Sequence, residues 1–539
     1  MSAGTAGFST RRSLMPGLRN ATVHTPWSGA GCYFIYAAVI AIFLVADLAI
    51  RPIWTDEAFS FYQVTNRSLA GLFRSFEAGV NALPYAYFLV LWAVDQLVGL
   101  DPLTLRLPSA MFALTSLIVL HRLLAKSCGH LNALLACVAA LLLSTEFVLY
   151  SHEARPYALY LLAAVLGLQS GIRVVRDAAF SRRTLAANAL TAFLLPAVHY
   201  VGIFYSIAIA VAVLASLRIG KRTGARSVLA SFGIGWSLCF VLQFSQITLF
   251  LGNKGAIDPA WMALPQPFEV FESALRAAAL LPSPVPLILL VAVGASLCVH
   301  GSVQPRLSAA AGRPQALLLL LVSLILIAMP PLFLLLGAAG LHNLVLPRYF
   351  APSLLAGAIL SCLAIAVLTP ARRNDADHPR SAESRMVGAA GLVLVTACLV
   401  YPLAAAVRGA YKAPHAISRL TIERDYRLIA NAQLPCVTNN IHVFFQYNFY
   451  RGERQLLSLL RDARPGAAQL QRLDGRLPIV SELAMGRLER FLFVHQPGTI
   501  NSYPSFDIQA WAIANHYALA PVATDRALTV FELRRRQQS

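Results

Sequence analysis

Charge is what this sequence has least of. Only 13% of its 539 residues are charged while 57% are hydrophobic, whereas a soluble domain carries about 25% charged residues. A soluble globular chain is therefore excluded. Cysteine is present but never in a useful arrangement. Seven of the eight (Cys32, Cys128, Cys137, Cys239, Cys298, Cys362, Cys398) lie in or beside apolar runs, and Cys436 stands alone in a polar tail. That excludes a disulfide within the tail and leaves no metal-ligand spacing. No Gly-rich phosphate loop precedes a helix of the tail, so no nucleotide site is expected there. A small-residue cleavage site followed by a soluble domain is also missing after the first apolar run, which is therefore expected to be a retained span and not a removed signal peptide.

What the chain does have is a series of long apolar runs, including Tyr33–Ile50, Leu131–Leu149, Leu317–Leu336 and Phe350–Leu368. Each is about long enough to cross a hydrocarbon layer of roughly 30 Å. The mean hydropathy of +0.62 agrees. The formal charge of +19 would point to nucleic acid in a soluble protein. Here the cations sit in short clusters between apolar runs (Arg11/Arg12/Arg19, Arg122/Lys126, Arg173/Arg176/Arg182/Arg183, Arg218/Lys221/Arg222/Arg226, Arg306/Arg313, Arg372/Arg373/Arg380/Arg385), the pattern of inward-facing loops. No nucleic-acid partner is expected.

Placing every cluster in the cytoplasm fixes the parity of the spans. Asn81–Leu100 looks apolar enough to cross, but counting it would reverse every later loop, and it carries Asn81, Pro84, Asp95 and Gln96. It reads as a helix lying at the membrane surface. The spans are then 32–50, 105–121, 131–150, 157–172, 185–198, 201–217, 228–250, 284–299, 316–336, 350–369 and 386–406, about eleven crossings, with a second surface helix around 268–281. Three parts follow: a cytoplasmic segment 1–31, a transmembrane domain 32–410, and an exoplasmic (periplasmic) domain 411–539. The last shows helical spacing over 418–432 and in Phe506–Ala518, with β-prone runs at Leu434–Val437, Ile479–Ser481, Phe491–Val494 and Leu528–Phe531, which reads as a small α/β domain.

Ionisable residues gather on the exoplasmic side of this topology. Asp56 and Glu57 follow the first span beside Trp54 and Phe59. Such a pair either faces water, or supplies a base and an orienting acid at the mouth of a membrane cavity. The turn Tyr150-Ser-His-Glu153-Ala-Arg155-Pro-Tyr157 lies on the same side, and ionisable residues at that depth are costly enough to mark function; a Glu153–Arg155 pair capping the turn is the plainer alternative. His199 joins two spans, either as a helix-end residue or as a ligand contact. Arg348-Tyr349 opens a later span from outside, against the general charge bias, and its planar fork suits phosphate as well as it suits snorkelling. Arg106 is placed similarly.

Taken in order, Asp56-Glu57, Arg106-Leu-Pro-Ser, Glu153-Ala-Arg-Pro-Tyr and Arg348-Tyr349 resemble the membrane glycosyltransferases of the GT-C superfamily, over roughly residues 30–370. The similarity is greatest to the protein O-mannosyltransferase-like family 39 group, which includes bacterial aminoarabinose and galacturonic acid transferases of lipopolysaccharide. The resemblance implies a polytopic α-helical inner-membrane protein of GT-C type with a C-terminal α/β domain. It also implies inverting transfer of a monosaccharide from a polyprenyl-phosphate donor to a hydroxyl of an envelope lipid, glycan or protein. By resemblance Asp56 is the general base, Glu57 its neighbour in acceptor positioning, and Glu153 the second acid of the cavity. Arg348 and Tyr349, with Arg155 and Arg106, hold the donor phosphate, while His199 and Tyr157 contact sugar or acceptor. The resemblance leaves a divalent metal ion near Asp56 and Glu153 open. One departure stands out: Asn81-Ala-Leu-Pro84 occupies a place where similar proteins often have Lys or His, so no cationic donor contact is expected from that helix. The competing reading is a sugar-lipid transporter or flippase without transferase activity. Against it, no internal repeat appears, and the ionisable residues lie at one interface and not at the midplane.

Overall fold

The computed structural model describes residues 29–252 except 66, 78–82 and 178–179, then 268, 272, 275, 276, 313–339, 347–368, 429, 433–450, 457–460, 478–495, 506–524 and 528–537. The expected spans 284–299 and 386–406, the helix 418–432 apart from residue 429, and most of the second surface helix lie outside the described residues.

Apolar composition over some twenty residues makes a helix that can satisfy its own backbone in lipid, and seven described helices are long and apolar enough to cross a membrane. The first is α1 (Gly29–Ile50), followed by three short helices, α2 (Thr55–Val64), α3 (Leu69–Glu77) and α4 (Ala86–Val98). At 13 residues, α4 is about 20 Å long, shorter than the hydrocarbon layer. It lies against α2, and its Tyr87 hydroxyl meets the Ser109 hydroxyl at 2.8 Å. Next comes α5 (Pro102–Cys128), started by Asp101, whose carboxylate accepts from the Leu103 and Thr104 amides at 2.8 and 2.7 Å. That bond satisfies donors orphaned at the helix start.

The run 131–150 was expected as one span. It is instead α6 (His130–Cys137), a π-turn over Val138–Leu142, and a separate α7 (Thr145–Tyr150). The break falls where the Ser144 side chain accepts from the Phe147 amide at 3.3 Å and starts a new helix, since a serine hydroxyl competes for backbone partners in a way the surrounding leucines cannot. The interruption leaves residues 151–156 as a buried turn ahead of α8 (Tyr157–Arg176). Then follow α9 (Arg182–Val198), α10 (Gly202–Ile219), α11 (Ala225–Leu242), α12 (Phe244–Gly252), α13 (Arg313–Ala338) and, after a 3₁₀ turn at Pro347–Ser353, α14 (Leu354–Leu368).

A core of Leu, Ala, Val and Phe side chains joins α1, α5, α6, α8, α10, α13 and α14. Lipid is as apolar as these side chains, so close contact and polar pairs must hold the helices together. Both are present between α9 and α11: a Cβ on Gly235 would stand 2.3 Å from the Ala189 carbonyl oxygen, and Asn188 donates to the Ser231 hydroxyl at 2.9 Å.

The C-terminal region carries a six-stranded sheet, β1 (Cys436–Thr438), β2 (Leu457–Leu460), β3 (Ile479–Val480), β4 (Arg490–His495), β5 (Tyr517–Thr524) and β6 (Thr529–Arg535), in the order β3-β2-β1-β4-β6-β5. The first four strands are parallel and β6 and β5 antiparallel. Strands β1, β3, β4 and β6 coincide with runs read from the sequence; β2 and β5 do not. Helix α15 (Ile441–Tyr450) follows β1 and docks on α2 through Phe444 and Phe445, which are buried with Ile53, Ala58 and Tyr62. Short helices α16 (Glu482–Met485) and α17 (Ile508–Ala514) complete the region.

Candidate active site

The site forms where the start of α2, the start of α5, the turn before α8 and the 3₁₀ turn before α14 meet. Asp56 and Glu57 both lie in the first turn of α2, where acidic side chains suit the exposed amides of a helix start. Successive helix residues point about 100° apart, and the two carboxylates go to different places.

Glu57 turns inward and is fully buried. Arg106 grips it with both arms, Nε to Oε1 at 2.9 Å and Nη2 to Oε2 at 2.7 Å, the bidentate geometry in which an arginine–carboxylate pair is strongest. The Ala154 amide donates to Glu57 Oε1 at 3.0 Å and the Trp54 amide to Oε2 at 3.3 Å. Burial pushes the Glu57 carboxyl up, but the Arg106 guanidinium more than offsets it, and the group stays ionised below the usual glutamate value. Asp47 at the end of α1 binds Arg106 at 2.8 Å, Arg51 at 2.9 Å and His152 Nε2 at 3.2 Å. Sequence reasoning missed Asp47, although an acid inside an apolar run is a signal by itself. Arg106, expected on a donor phosphate, is held by Glu57 and Asp47 and also donates to the Pro52 carbonyl at 3.2 Å. Its place is in the support of the site.

Asp56 turns away from Glu57 and keeps its side chain 14% exposed. Arg348 Nη1 lies 3.0 Å from Asp56 Oδ2 and Arg155 Nη2 3.8 Å from the same oxygen. Arg155 also donates to the Asp56 carbonyl at 3.2 Å. Two guanidiniums thus converge on one partly open carboxylate. Residues almost 300 positions apart, which the sequence placed only on a common side, share one contact.

Glu153 is buried in the turn before α8, and its Oε1 has no hydrogen-bond partner among the described residues. Burial and the nearby Glu57 charge raise its carboxyl from 4.5 to about 8, so at neutral pH it keeps its proton. The folded chain then binds that proton more tightly than the unfolded one between those values, and stability is lost as pH rises through this window. Glu153→Gln imitates the protonated acid. Thermal unfolding of the purified protein between pH 5 and 9 should show a flatter profile for the variant than for wild type, with the variant the more stable at the alkaline end; parallel profiles would mean that Glu153 is ionised throughout.

His199 is buried among tyrosines. Its ring stacks on Tyr160 at 5.2 Å and lies 5.0 Å from Tyr349 and 6.3 Å from Tyr157. Neither ring nitrogen has a hydrogen-bond partner among the described residues. Burial, then the charges of Arg348 and Arg155, push His199 down to about 3, so it is a neutral ring. The hydroxyl of Tyr160 is likewise buried without a partner among the described residues. Buried polar atoms are nearly always paired; Glu153, His199 and Tyr160 each keep one or more without a partner among the described residues.

The C-terminal region reaches this site too. His442 of α15 hydrogen-bonds the Thr55 hydroxyl, next to Asp56, and the Tyr450 hydroxyl accepts from the Ile53 amide at 2.9 Å. Nothing in the sequence joined these residues to the first loop.

The donor set beside Asp56 does not fit a divalent cation. Its near neighbours are guanidiniums, Glu153 retains its proton, and no group of three or more His, Cys, Asp or Glu side chains is arranged to hold an ion among the described residues.

No family model matches this chain, and no curated protein matches it in sequence. Solved structures do match it in fold. ArnT from Cupriavidus metallidurans bound to undecaprenyl phosphate superposes with a TM-score of 0.55 at 13% identity, covering 94% of this chain and 98% of its own. The same protein in the apo state gives 0.54 at 15% identity, over 93% and 98%. Near-complete coverage of both chains extends the likeness from the helical bundle into the sheet region. This chain therefore has the fold of ArnT over almost its whole length.

Proposed function

We propose that the protein is a glycosyltransferase of the inner membrane that moves a monosaccharide from a polyprenyl-phosphate carrier to a hydroxyl acceptor, with inversion, at a periplasmic site. The convergence of Arg348 and Arg155 on Asp56 carries this reading. The orientation follows from the basic clusters, which put the Asp56 end of the bundle and the C-terminal sheet outside. The neighbour's bound undecaprenyl phosphate supports a carrier of that class.

The chemistry needs three things. A departing phosphate needs cations, and guanidiniums in a site screened from water stabilise that charge well. Arg348 lies on Asp56, so a phosphate arriving there competes with the carboxylate for the guanidinium, and donor binding frees the base. Asp56 then takes the proton of the acceptor hydroxyl as its oxygen attacks the anomeric carbon. The bond from that carbon to the phosphate oxygen breaks, and the carrier phosphate leaves with the electron pair. Glu153, being protonated, and His199, being neutral, offer hydrogen bonds to sugar hydroxyls without adding charge. Glu57 and Arg106 fix the start of α2 and so the position of Asp56.

Two experiments test this. Envelope glycolipids, polysaccharides and glycoproteins of a deletion strain should lack one sugar, restored by the wild-type gene; an unchanged inventory defeats the proposal. Arg348→Ala should lower kcat/KM for the carrier-linked donor by about 10- to 100-fold, chiefly through KM. Arg348→Lys keeps the charge but loses the fork and should recover only part of it. Unaltered donor kinetics in both variants would remove Arg348 from the phosphate site.

A further inference from the structure

The ends of α5 and α8 opposite the Asp56 site enclose a second polar space. From Arg106 to Lys126, α5 rises about 30 Å, the thickness of a hydrocarbon layer. At that far end a cavity of about 320 Å³ opens between α5, α8 and α13, lined by Lys126, Gln169, Arg173, Arg176, Asp177 and Gln315. Its size falls within the range of small-ligand sites, about 300–1,000 Å³.

The charge of this lining is unbalanced. Three cations face one carboxylate, and Asp177 Oδ2 already accepts from the Thr184 hydroxyl at 2.7 Å. Lys126, Arg173 and Arg176 make no ion pair with any described residue. Arg173 and Arg176 stand three apart on one helix, where like charges repel. The dipole at the end of α8 accounts for arginines in its last turn. It does not account for the α5 lysine and the α13 glutamine Gln315 that line the same space, which is large enough for a headgroup.

We infer that this cavity binds the phosphate headgroup of an anionic lipid in the leaflet opposite the catalytic site. A phosphate oxygen accepts from a guanidinium fork on one side and an ammonium on the other, and the amides of Gln169 and Gln315 suit the headgroup's hydroxyls. Basic pockets between membrane helices take such headgroups for this reason. The inference stands apart from the catalytic reading, since none of these residues belongs to the Asp56 site.

The full-length protein, purified in detergent, is titrated with phosphatidylglycerol and with phosphatidylcholine, and retained lipid is counted by native mass spectrometry. Wild type should hold phosphatidylglycerol in preference. Arg173→Gln/Arg176→Gln should weaken it about 30-fold and Lys126→Gln about 5-fold, as expected for removing two surface cations or one. Added salt should reduce the preference. These side chains are exposed, so the variants should fold, which their elution profiles check. Equal retention of both lipids, or retention unchanged in both variants, overturns the inference. Inorganic phosphate stabilising wild type as well as phosphatidylglycerol does would also overturn it, by showing a site for a free anion.

Discussion

Asp56→Asn should reduce turnover by about 10²- to 10⁴-fold, the range lost with a general base, while the protein stays folded and inserted. The substitution keeps size and one acceptor oxygen but removes the capacity to take a proton at neutral pH. Its structural cost should be small. Asp56 and Arg348 keep some contact with water, at 14% and 22% exposure, so the guanidinium left behind is better solvated than one facing a fully buried gap. Removing the carboxylate also releases Arg348 from its partner, so affinity for the carrier phosphate should hold or rise. The signature is a fall in kcat without a rise in donor Kd, measured by single-turnover transfer and by carrier binding on the same preparation. Normal turnover in the Asn variant would mean that no base is needed at this position, and a transport function would regain its standing.

The neighbouring carboxylate predicts the opposite pattern. Glu57→Ala should destabilise the protein by about 3–5 kcal/mol, because it leaves a buried guanidinium facing a hole. Arg106 is 1% exposed and Glu57 fully buried, so water cannot replace the lost partner. Arg106→Ala should be comparably damaging, leaving Glu57 buried without its guanidinium, while Asp47 keeps Arg51 and His152. Replacing the pair together, Glu57→Leu with Arg106→Leu, should recover part of the loss, since neither member of the buried pair is then left without the other and Asp47 still has Arg51 and His152. Thermal unfolding of the four proteins decides it; a double variant as unstable as the sum of the singles would mean that the two residues do not act as a pair. The adjacent acids should thus separate, one by its effect on turnover and the other by its effect on stability.

That separation also shows where sequence reasoning stops. From residues 56 and 57 alone nothing says which acid is the base and which the orienting one; only the resemblance assigns Asp56 the proton and Glu57 the acceptor. Only the helical turn between them, and the presence of Arg106 on one side and Arg348 on the other, gives them different work. The turn holding Glu153 was legible because three ionisable groups between apolar runs are costly in a membrane. Its protonation was not legible, because that depends on Glu57 lying close in space. Asp47 was passed over inside a run read for hydropathy, and His442 lies more than 380 residues from its partner Thr55.

Composition settled that this chain is a membrane protein, because long apolar runs with so little charge have no other way to be stable. Spacing settled where most helices run and that the ionisable turns collect at one end of them. Which carboxylate stays partly exposed, which arginine is structural, and how α15 seals the first loop were decided by tertiary packing. Those outcomes depend on distances between residues far apart in the chain, and hydropathy carries no information about them.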